Sequence, residues 1–150
     1  MQKIISHNEY ETIKIGERIA SKLKKSDIVC LEGDLGAGKT TLSKAIAYAL
    51  GVKEHVTSPT FTIVHEYEAV IPLYHFDVYR IDDMDEMFEI GFEEYIYGEG
   101  ICLIEWADKI KELIPENSIW ISISYGNNID EREIQINGLP EIDFIQSERK

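Results

Sequence analysis

A short glycine-rich segment between two different apolar patterns constrains the fold more than any other part of the sequence. Asp27–Glu32 contains a continuous apolar run rich in β-branched residues, which is typical of a strand buried on both faces. Residues 39–50 instead repeat their apolar side chains at helical spacing, and Gly51 provides a C-terminal stop. The segment between them reads Gly33-Asp34-Leu35-Gly36-Ala37-Gly38-Lys39-Thr40 and matches the pattern G-x-x-x-x-G-K-S/T. This order of strand, glycine-rich turn and helix predicts a phosphate-binding loop.

Each part of this loop has a role in holding a nucleoside triphosphate. The glycines permit unusual backbone dihedrals, so that successive N–H groups surround an anion and the following helix directs its positive end at it. Lys39 can reach the β- and γ-phosphates, the Thr40 hydroxyl can coordinate Mg²⁺, and Thr41 can bond the α-phosphate. We therefore predict nucleotide contacts from every residue of the segment, namely Gly33, Asp34, Leu35, Gly36, Ala37, Gly38, Lys39, Thr40 and Thr41.

Two carboxylates are candidates for a magnesium site, because a phosphate-binding loop needs an acidic residue at the end of a neighbouring strand. Glu105 ends the apolar run Ile101–Glu105, and Asp77 ends the run Leu73–Asp77. We assign Glu105 to the magnesium and Asp77 to metal-bound water or to the attacking water, although the two assignments can be exchanged. The predicted metal-binding residues are thus Thr40, Asp77 and Glu105, and the predicted catalytic residues are Lys39, Asp77 and Glu105.

A loop between the helix and the next strand contains a candidate switch. Thr60 ends the stretch Thr57–Thr60, in the interval where several classes of P-loop protein place a hydroxyl that senses the γ-phosphate and Mg²⁺. An ordinary Ser-Pro turn explains the same residues equally well.

Three residues beside the carboxylates have two interpretations each. His75 alternates with Asp77 onto one strand face, while Arg80 lies past the end of that strand. For both, a structural role is as well supported as a catalytic one. Trp106 directly follows Glu105, and packing over the sheet edge is at least as good an explanation as contact near the nucleotide.

The rest of the pattern predicts one α/β domain over residues 1–150. Further strands are predicted at Lys3–Ser6, Thr60–Tyr67, Leu73–Tyr79, Ile101–Glu105, Ile119–Ser124 and Glu133–Asn137, with the second and third of these as an antiparallel hairpin. Further helices are predicted from a capping box at Ser6 and Glu9 to about Lys24, from a cap at Asp82 to near Gly91, and over Ala107–Ile114. The expected fold is a P-loop NTPase-type three-layer sandwich: a mixed sheet with a parallel core and antiparallel strands, helices on both faces, and residues 139–150 as a flexible tail.

Charge and cysteine content exclude several classes of protein. The chain has 15 Lys and Arg against 28 Asp and Glu, a formal net charge of −13, so direct and strong nucleic-acid binding is not expected. An acidic protein can still serve an RNA pathway through a basic partner. Cys30 and Cys102 lie inside apolar runs without a zinc-binding spacing, which predicts buried thiols in a reducing compartment. Because no signal peptide follows Met1–Lys3 and no apolar run is long enough to span a bilayer, we expect a cytoplasmic protein.

Four segments together resemble one family of bacterial proteins. In order and spacing they look like TsaE, formerly YjeE: GDLGAGKTTL at Gly33–Leu42, TSPTF at Thr57–Phe61, YHFDVYR at Tyr74–Arg80 and LIEW at Leu103–Trp106. Many families share the phosphate-binding loop, but its combination with the second and third segments is much more specific. The resemblance extends from about Ile13 to Pro115, and the C-terminal strands and tail carry no matching motif.

The resemblance implies an ATPase of tRNA threonylcarbamoyladenosine synthesis. Such proteins act with a heterodimer of TsaB and TsaD, which transfers a threonylcarbamoyl group to an adenosine beside the anticodon, and their ATP hydrolysis supports turnover of that complex. It implies ATP and Mg²⁺ as ligands, with Lys39 and Thr40 on phosphate and magnesium, Glu105 as a metal ligand and Asp77 needed for activity. It also places Asn8–Thr12 by the adenine and leaves contact with tRNA to the partners, which agrees with the acidic composition.

Three other functions are compatible with a phosphate-binding loop. A small-molecule or nucleotide kinase usually brings arginines on a lid over the transferred phosphate, but of the four arginines here only Arg80 lies near a motif, and no lid insertion is evident. A GTPase would need an N/T-K-x-D stretch, and residues 127–130 lack the lysine. A non-catalytic module that binds nucleotide and changes shape stays open as an alternative.

Overall fold

A seven-stranded mixed sheet forms the centre of the fold in a computed structural model that describes residues 1–34, 36–57, 59 and 62–144. The strands are β1 (Gln2–Ser6), β2 (Ile28–Gly33), β3 (Val64–Tyr67), β4 (Leu73–Asp77), β5 (Ile101–Glu105), β6 (Ile119–Tyr125) and β7 (Arg132–Asn137). The helices are α1 (Glu9–Ala20), α2 (Lys39–Ala49), α3 (Asp85–Glu89), α4 (Phe92–Ile96) and a 3₁₀ helix (Ala107–Leu113). The glycine-rich loop therefore joins β2 to α2, as predicted.

The order of the strands confirms the predicted mixture of parallel and antiparallel pairs. Across the sheet the order is β1-β7-β6-β2-β5-β4-β3. β2 runs parallel to β5 and β6, and β5 runs parallel to β4. β1 with β7, β6 with β7, and the predicted hairpin of β3 with β4 are antiparallel. The carboxyl ends of β2, β4 and β5 consequently meet at one edge, where ligands of open α/β sheets usually bind.

Helices cover both faces of the sheet because the central strands are apolar on both faces. In β2, Val29 and Leu31 belong to a core that includes α1 and α2, whereas Ile28 and Cys30 belong to a second core beneath α3, α4 and the 3₁₀ helix. The three-layer arrangement is thus confirmed. Both cysteines are free thiols buried in the second core, as predicted, and burial raises the pKa of Cys102 to about 12.

The start of α1 differs from the prediction. The side chain of Asn8, not that of Ser6, caps the helix by accepting a hydrogen bond of 2.8 Å from the backbone N–H of Glu11. Ser6 is instead the last residue of β1, where it pairs with Arg132 of β7. Its hydroxyl donates to the carbonyl of Asn8 and lies 2.7 Å from the hydroxyl of Thr12. The sheet therefore takes up the residue that the sequence pattern assigned to the cap.

Two other helix boundaries were predicted wrongly. α1 ends at Ala20 rather than near Lys24, because the chain continues in tighter turns whose backbone N–H groups bond to carbonyls three residues back. Asp82 does not cap α3, which begins only at Asp85. The carboxylate of Glu86 instead accepts hydrogen bonds from the backbone N–H groups of Asp82 and Asp83, so an acidic side chain inside the helix organises the preceding turn.

The beginning of the expected flexible tail lies against the sheet. Ile142 is 3% exposed and belongs to the core on the α1 and α2 face. Its backbone N–H donates to Oε1 of Gln2, and its carbonyl accepts from Nε2 of the same side chain. The expected tail thus begins with a segment in which Ile142 packs in the core, and residues 145–150 lie outside the described part. None of the helices in the described ranges has the length and apolarity needed to cross a membrane.

Candidate nucleotide site

The phosphate loop has the backbone geometry that its glycines predict. Gly33 ends β2 with a φ of +144°, and Gly38 precedes α2 with a φ of +113°. A Cβ at Gly33 would lie 2.0 Å from the carbonyl oxygen of Ile123, so no side chain fits there. Gly33 therefore requires glycine for both conformation and space, and Gly38 requires it for conformation. Leu35, one of the predicted contact residues, lies outside the described residues.

Lys39 lies inside the loop with its ammonium group against the loop backbone. Its Nζ donates to the carbonyls of Gly33 at 2.7 Å and Asp34 at 2.8 Å, and lies 4.0 Å from the centre of the Trp106 ring. Burial lowers the pKa of Lys39, while nearby carboxylates, first that of Glu105, act in the opposite direction. The positive charge is thus placed where a phosphate would enter, held by carbonyls that an anion can replace.

The two predicted carboxylates are neighbours on adjacent parallel strands. Asp77 of β4 pairs in register with Glu105 of β5. Oε2 of Glu105 lies 2.6 Å from Nε2 of His75, and both side chains are almost completely buried. Burial raises the pKa of Asp77, as does the negative charge of Glu105, whereas a hydrogen bond from the backbone N–H of Tyr79 lowers it. Two carboxylates and an imidazole therefore share one face at the carboxyl edge of the sheet.

A cleft of about 400 Å³ brings the loop and these carboxylates together. It is lined by Gly36, Gly38, Lys39, Thr40, Thr41, Asp77, Tyr79, Glu105 and Trp106. Hydroxyl and carboxylate oxygens are the donors that Mg²⁺ prefers. Over the ranges that the structure describes, no group of three or more His, Cys, Asp and Glu side chains is placed to hold a metal ion. The donor set therefore fits a magnesium ion that takes further ligands from phosphates and water.

Trp106 is part of the cleft wall as well as the sheet edge. Its backbone has a φ of +64°, which is uncommon for a residue other than glycine, and its ring lies 4.6 Å from that of Tyr79. The ring also faces the ammonium group of Lys39. Trp106 thus packs over the sheet edge and also lines the cleft, and its contact with a nucleotide stays a prediction.

Arg80 lies within the described part of the structure, whereas the predicted switch residue Thr60 does not. Arg80 is exposed past the end of β4, and its charge acts to lower the pKa of Asp77. Thr60 lies outside the described residues, so its role stays a prediction. The start of its loop is fixed, because the hydroxyl of Tyr67 bonds to both the backbone N–H and the carbonyl of Thr57.

A second cleft, of about 220 Å³, contains residues that the motif analysis did not bring together. It is lined by Glu9, Thr12, Gly36, Ala37, Gly38, Thr41, Asp130 and Arg132. Glu9 and Thr12 come from the segment that the TsaE resemblance places by the adenine. Arg132 was missed, and its guanidinium Nε donates to the carbonyl of Ala37 at 2.9 Å. Its position at the start of a strand carries no local signal for this contact, which depends on sheet order.

A family comparison decides the relationship of the chain. The sequence model of the family described as "Threonylcarbamoyl adenosine biosynthesis protein TsaE" matches residues 6–134. The chain belongs to the TsaE family. The matched range contains the phosphate loop, both edge carboxylates and Arg132, so TsaE membership covers all the parts of the two clefts.

Individual TsaE relatives support the same assignment. A protein of Bacillus subtilis (strain 168) named "tRNA threonylcarbamoyladenosine biosynthesis protein TsaE" is 48% identical over 85% of this chain and 79% of its own length. A protein of Aquifex aeolicus (strain VF5) with the same name is 46% identical over 78% of this chain and 91% of its own. The crystal structure of Bacillus subtilis YdiB superposes with a TM-score of 0.72 at 43% identity, covering 89% of this chain and 82% of that one.

Proposed function

We propose that this chain binds ATP with Mg²⁺ in the cleft between the phosphate loop and the edge carboxylates, and hydrolyses it during threonylcarbamoyladenosine synthesis on tRNA. The observation that carries the proposal is that one cleft is lined by the loop, by Lys39 and Thr40, and by the paired carboxylates. A phosphate-binding loop alone can serve many purposes. A carboxylate pair across the cleft from it can supply one group for the metal ion and one to orient the attacking water, the two roles that hydrolysis of the terminal phosphate needs.

The side chains divide the work of binding and orientation. Lys39 exchanges its two carbonyl partners for phosphate oxygens, and the loop amides and the start of α2 receive the remaining negative charge. Glu105, held by His75, and Thr40 are the residues that would hold the magnesium, and Asp77 orients water at the terminal phosphate. When bound, the ion neutralises charge on the phosphate oxygens. Trp106 shields Lys39 from solvent, which strengthens its attraction for an anion.

The biological setting follows from the family. The relatives are named for tRNA threonylcarbamoyladenosine biosynthesis, and we extend that role to this chain. We further propose that it acts in the cytoplasm with TsaB and TsaD, which perform the transfer and contact the tRNA. A net charge of −13 supports this division of labour, since so acidic a chain repels a phosphate backbone.

Calorimetry with a matched pair of lysine variants tests the binding step. The unchanged protein is titrated with Mg·ATP and Mg·GTP, beside Lys39→Ala and the control Lys44→Ala, which lies on the same helix outside both clefts. We expect Lys39→Ala to lose most of its affinity, by about 1.5–3 kcal/mol, because charge-assisted hydrogen bonds to phosphate are of that size. Failure of the unchanged protein to bind either nucleotide, alone or with partners, would overturn the proposal.

An ATPase assay tests the reaction and its setting. Phosphate release is measured for the chain alone, with TsaB and TsaD, and with tRNA added. We expect a low rate alone and a marked rise with the partners, because a partner can complete a site that is open on one side. Binding without hydrolysis under any of these conditions would favour the non-catalytic regulatory module instead.

A further inference from the structure

Arg132 ties the phosphate loop to the strands on the other side of the sheet. Its Nε donates to the carbonyl of Ala37 at 2.9 Å, across 95 positions of sequence. Its Nη1 donates to the carbonyls of Ile129 at 2.8 Å and Glu131 at 2.9 Å, in the turn between β6 and β7. The guanidinium of Arg132 thus links the phosphate loop at Ala37 to the turn that precedes β7.

The guanidinium is fixed in direction as well as in position. Its central carbon lies 4.8 Å from the centre of the Tyr125 ring, at the end of β6. A planar guanidinium donates along fixed directions, so a ring on its face and carbonyls at its edge leave it little freedom. A lysine at this position would keep the charge but not the fork. The contact with Ala37 therefore depends on the shape of the arginine side chain.

Fixing the carbonyl of Ala37 also fixes the amide of Gly38. The described chain contains no cis peptide bond, and in a trans peptide the C=O and the following N–H point in opposite directions. The N–H of Gly38 therefore points away from Arg132. Gly38 borders both clefts, and its φ of +113° allows a peptide orientation that other residues rarely adopt.

We propose that Arg132 is a positioning residue that holds the amide of Gly38 in the orientation that receives a phosphate. The inference rests on the proposed function, because it assumes that the loop binds the phosphates of a nucleotide. Both hydrogen bonds that Lys39 makes in the described part of the chain go to carbonyls of the loop itself, and the proposed function exchanges them for phosphate oxygens. Arg132 bonds the loop to the sheet and needs no such exchange. It thereby orders the loop before binding, which raises affinity by lowering the entropy lost on association.

A direct attraction between Arg132 and the phosphates is the competing explanation. Two carboxylate residues, Glu9 and Asp130, line the same cleft and offset the positive charge there. The guanidinium also directs both Nε and Nη1 to carbonyls. The geometry thus favours a clamp over a charge contact, and the two explanations differ in what a lysine substitution does.

The test compares Arg132→Gln and Arg132→Lys with the unchanged protein and with Arg18→Gln, which removes an exposed arginine from α1. Calorimetry with Mg·ADP and Mg·ATP is done well below the unfolding midpoint of each variant. We expect both Arg132 variants to weaken binding about tenfold, the effect of losing one hydrogen bond that organises a charged site. Arg18→Gln should bind like the unchanged protein. With partners present, the nucleotide concentration needed for half-maximal turnover should rise by a larger factor in the Arg132 variants than the maximal turnover falls.

Backbone NMR of the nucleotide-free protein gives a reading that a general loss of stability would not produce. We expect the amide resonance of Gly38 and the carbonyl resonance of Ala37 to shift in both Arg132 variants, with the α1 resonances unchanged. If Arg132→Gln does not fold, Arg132→Lys carries the same comparison. Parent-like binding by Arg132→Lys would establish a charge effect and overturn the clamp, as would unshifted Gly38 and Ala37 resonances. If the unchanged protein binds no nucleotide, the proposed function fails as well; normal binding by Arg132→Gln overturns this inference alone.

Discussion

Two histidine–glutamate pairs, one at the start of α1 and one at the carboxyl edge of the sheet, share their chemistry and differ in their surroundings. Nδ1 of His7 lies 2.9 Å from Oε1 of Glu11, and Nε2 of His75 lies 2.6 Å from Oε2 of Glu105. Glu11 is 0% exposed and Glu105 is 2% exposed. Burial and an imidazole partner are therefore common to both glutamates and do not distinguish them.

The neighbours of each glutamate explain the difference. Glu11 lies in the first turn of α1, where its Oε1 also accepts the backbone N–H of His7 and the helix dipole favours negative charge. Neither of the two clefts is lined by Glu11. Glu105 borders the cleft, raises the pKa of Asp77 and counteracts the lowering of the pKa of Lys39. The first carboxylate completes a helix end, and the second faces the groups that we propose to bind a ligand.

Replacing each glutamate by glutamine gives the strongest contrast. Glu105→Gln keeps the size of the side chain but removes the charge proposed to hold magnesium, which is worth several kcal/mol in such sites, so we expect turnover with partners to fall about 100-fold. Nucleotide affinity should change much less, because the loop supplies most phosphate contacts. Glu11→Gln is the matched control and should leave turnover unchanged. Equal turnover by the two variants would mean that the edge position has no special role.

The free energy of unfolding should instead depend on Glu11, because this carboxylate completes the start of α1. Glu11→Ala leaves the backbone N–H of His7 without its acceptor and removes an acidic group from the first turn of α1, so we expect a loss of about 1–2 kcal/mol in the free energy of unfolding. Glu17→Ala on the same helix removes only an exposed partner of Lys14 and should cost a few tenths of a kcal/mol. Urea unfolding followed by circular dichroism measures both. A Glu11 variant as stable as the Glu17 variant would contradict the structural role.

Replacing the histidine of each pair should give the same contrast in turnover, with a smaller effect than replacing the glutamate. His75 orients Glu105 and lies inside the core, so His75→Gln should lower turnover about tenfold and raise the Mg²⁺ concentration needed for half-maximal rate. His7 is about one third exposed, pairs with Glu11 and lines neither cleft. His7→Gln should therefore change neither the turnover nor the Mg²⁺ dependence. A shift in magnesium dependence separates positioning of a metal ligand from simple destabilisation. No such shift in His75→Gln would remove the link between this pair and the ion.

Sequence reasoning identified the parts of the site whose signals are local. The strand, loop and helix from β2 to α2 were predicted because glycine conformation and apolar periodicity act over neighbouring residues. Asp77 and Glu105 were found because each ends an apolar strand, and parallel strands bring such ends together. The pairing of His75 with Glu105 was not predicted, because it requires β4 and β5 to be neighbours in register, and no local pattern specifies that.

The missed and misplaced features depend on contacts between distant segments. Ser6 fits a capping box in sequence, but its pairing with Arg132 keeps it in a strand. Ile142 reads as part of a polar tail, yet bonds to Gln2 from the other end of the chain. The contact of Arg132 with Ala37 follows from the order of β7, β6 and β2. Local patterns therefore give the elements and the motif residues, while sheet order decides which distant side chains support them.

The smallest expected effect is on the free energy of unfolding of the nucleotide-free protein, which the ionised carboxylate of Asp77 lowers. Burial, and then the charge of Glu105, raise its pKa above the ordinary value of 3.8, so the folded state holds the proton more tightly than the unfolded chain does. The folded state is therefore favoured at low pH, and that stability is lost as pH rises through the raised pKa. Asp77→Asn removes the charge and should be more stable than the unchanged protein at neutral pH, by roughly 0.5–1 kcal/mol.

The pH profile distinguishes this charge effect from a change in packing. Well below pH 3.8 the two proteins should unfold at the same urea concentration, because Asp77 is then protonated in both the folded and the unfolded state. The difference should grow as pH rises from 3.8 through the raised pKa and stay constant above it. Exposed Asp143 is the control, and Asp143→Asn should give a flat, small difference. With EDTA present to keep magnesium away, a constant gain at every pH would show that the amide packs better and that the carboxylates do not repel each other. A gain confined to high pH, together with lost turnover, would show that this edge of the sheet keeps a destabilising charge for its function, in contrast to the carboxylate at the start of α1.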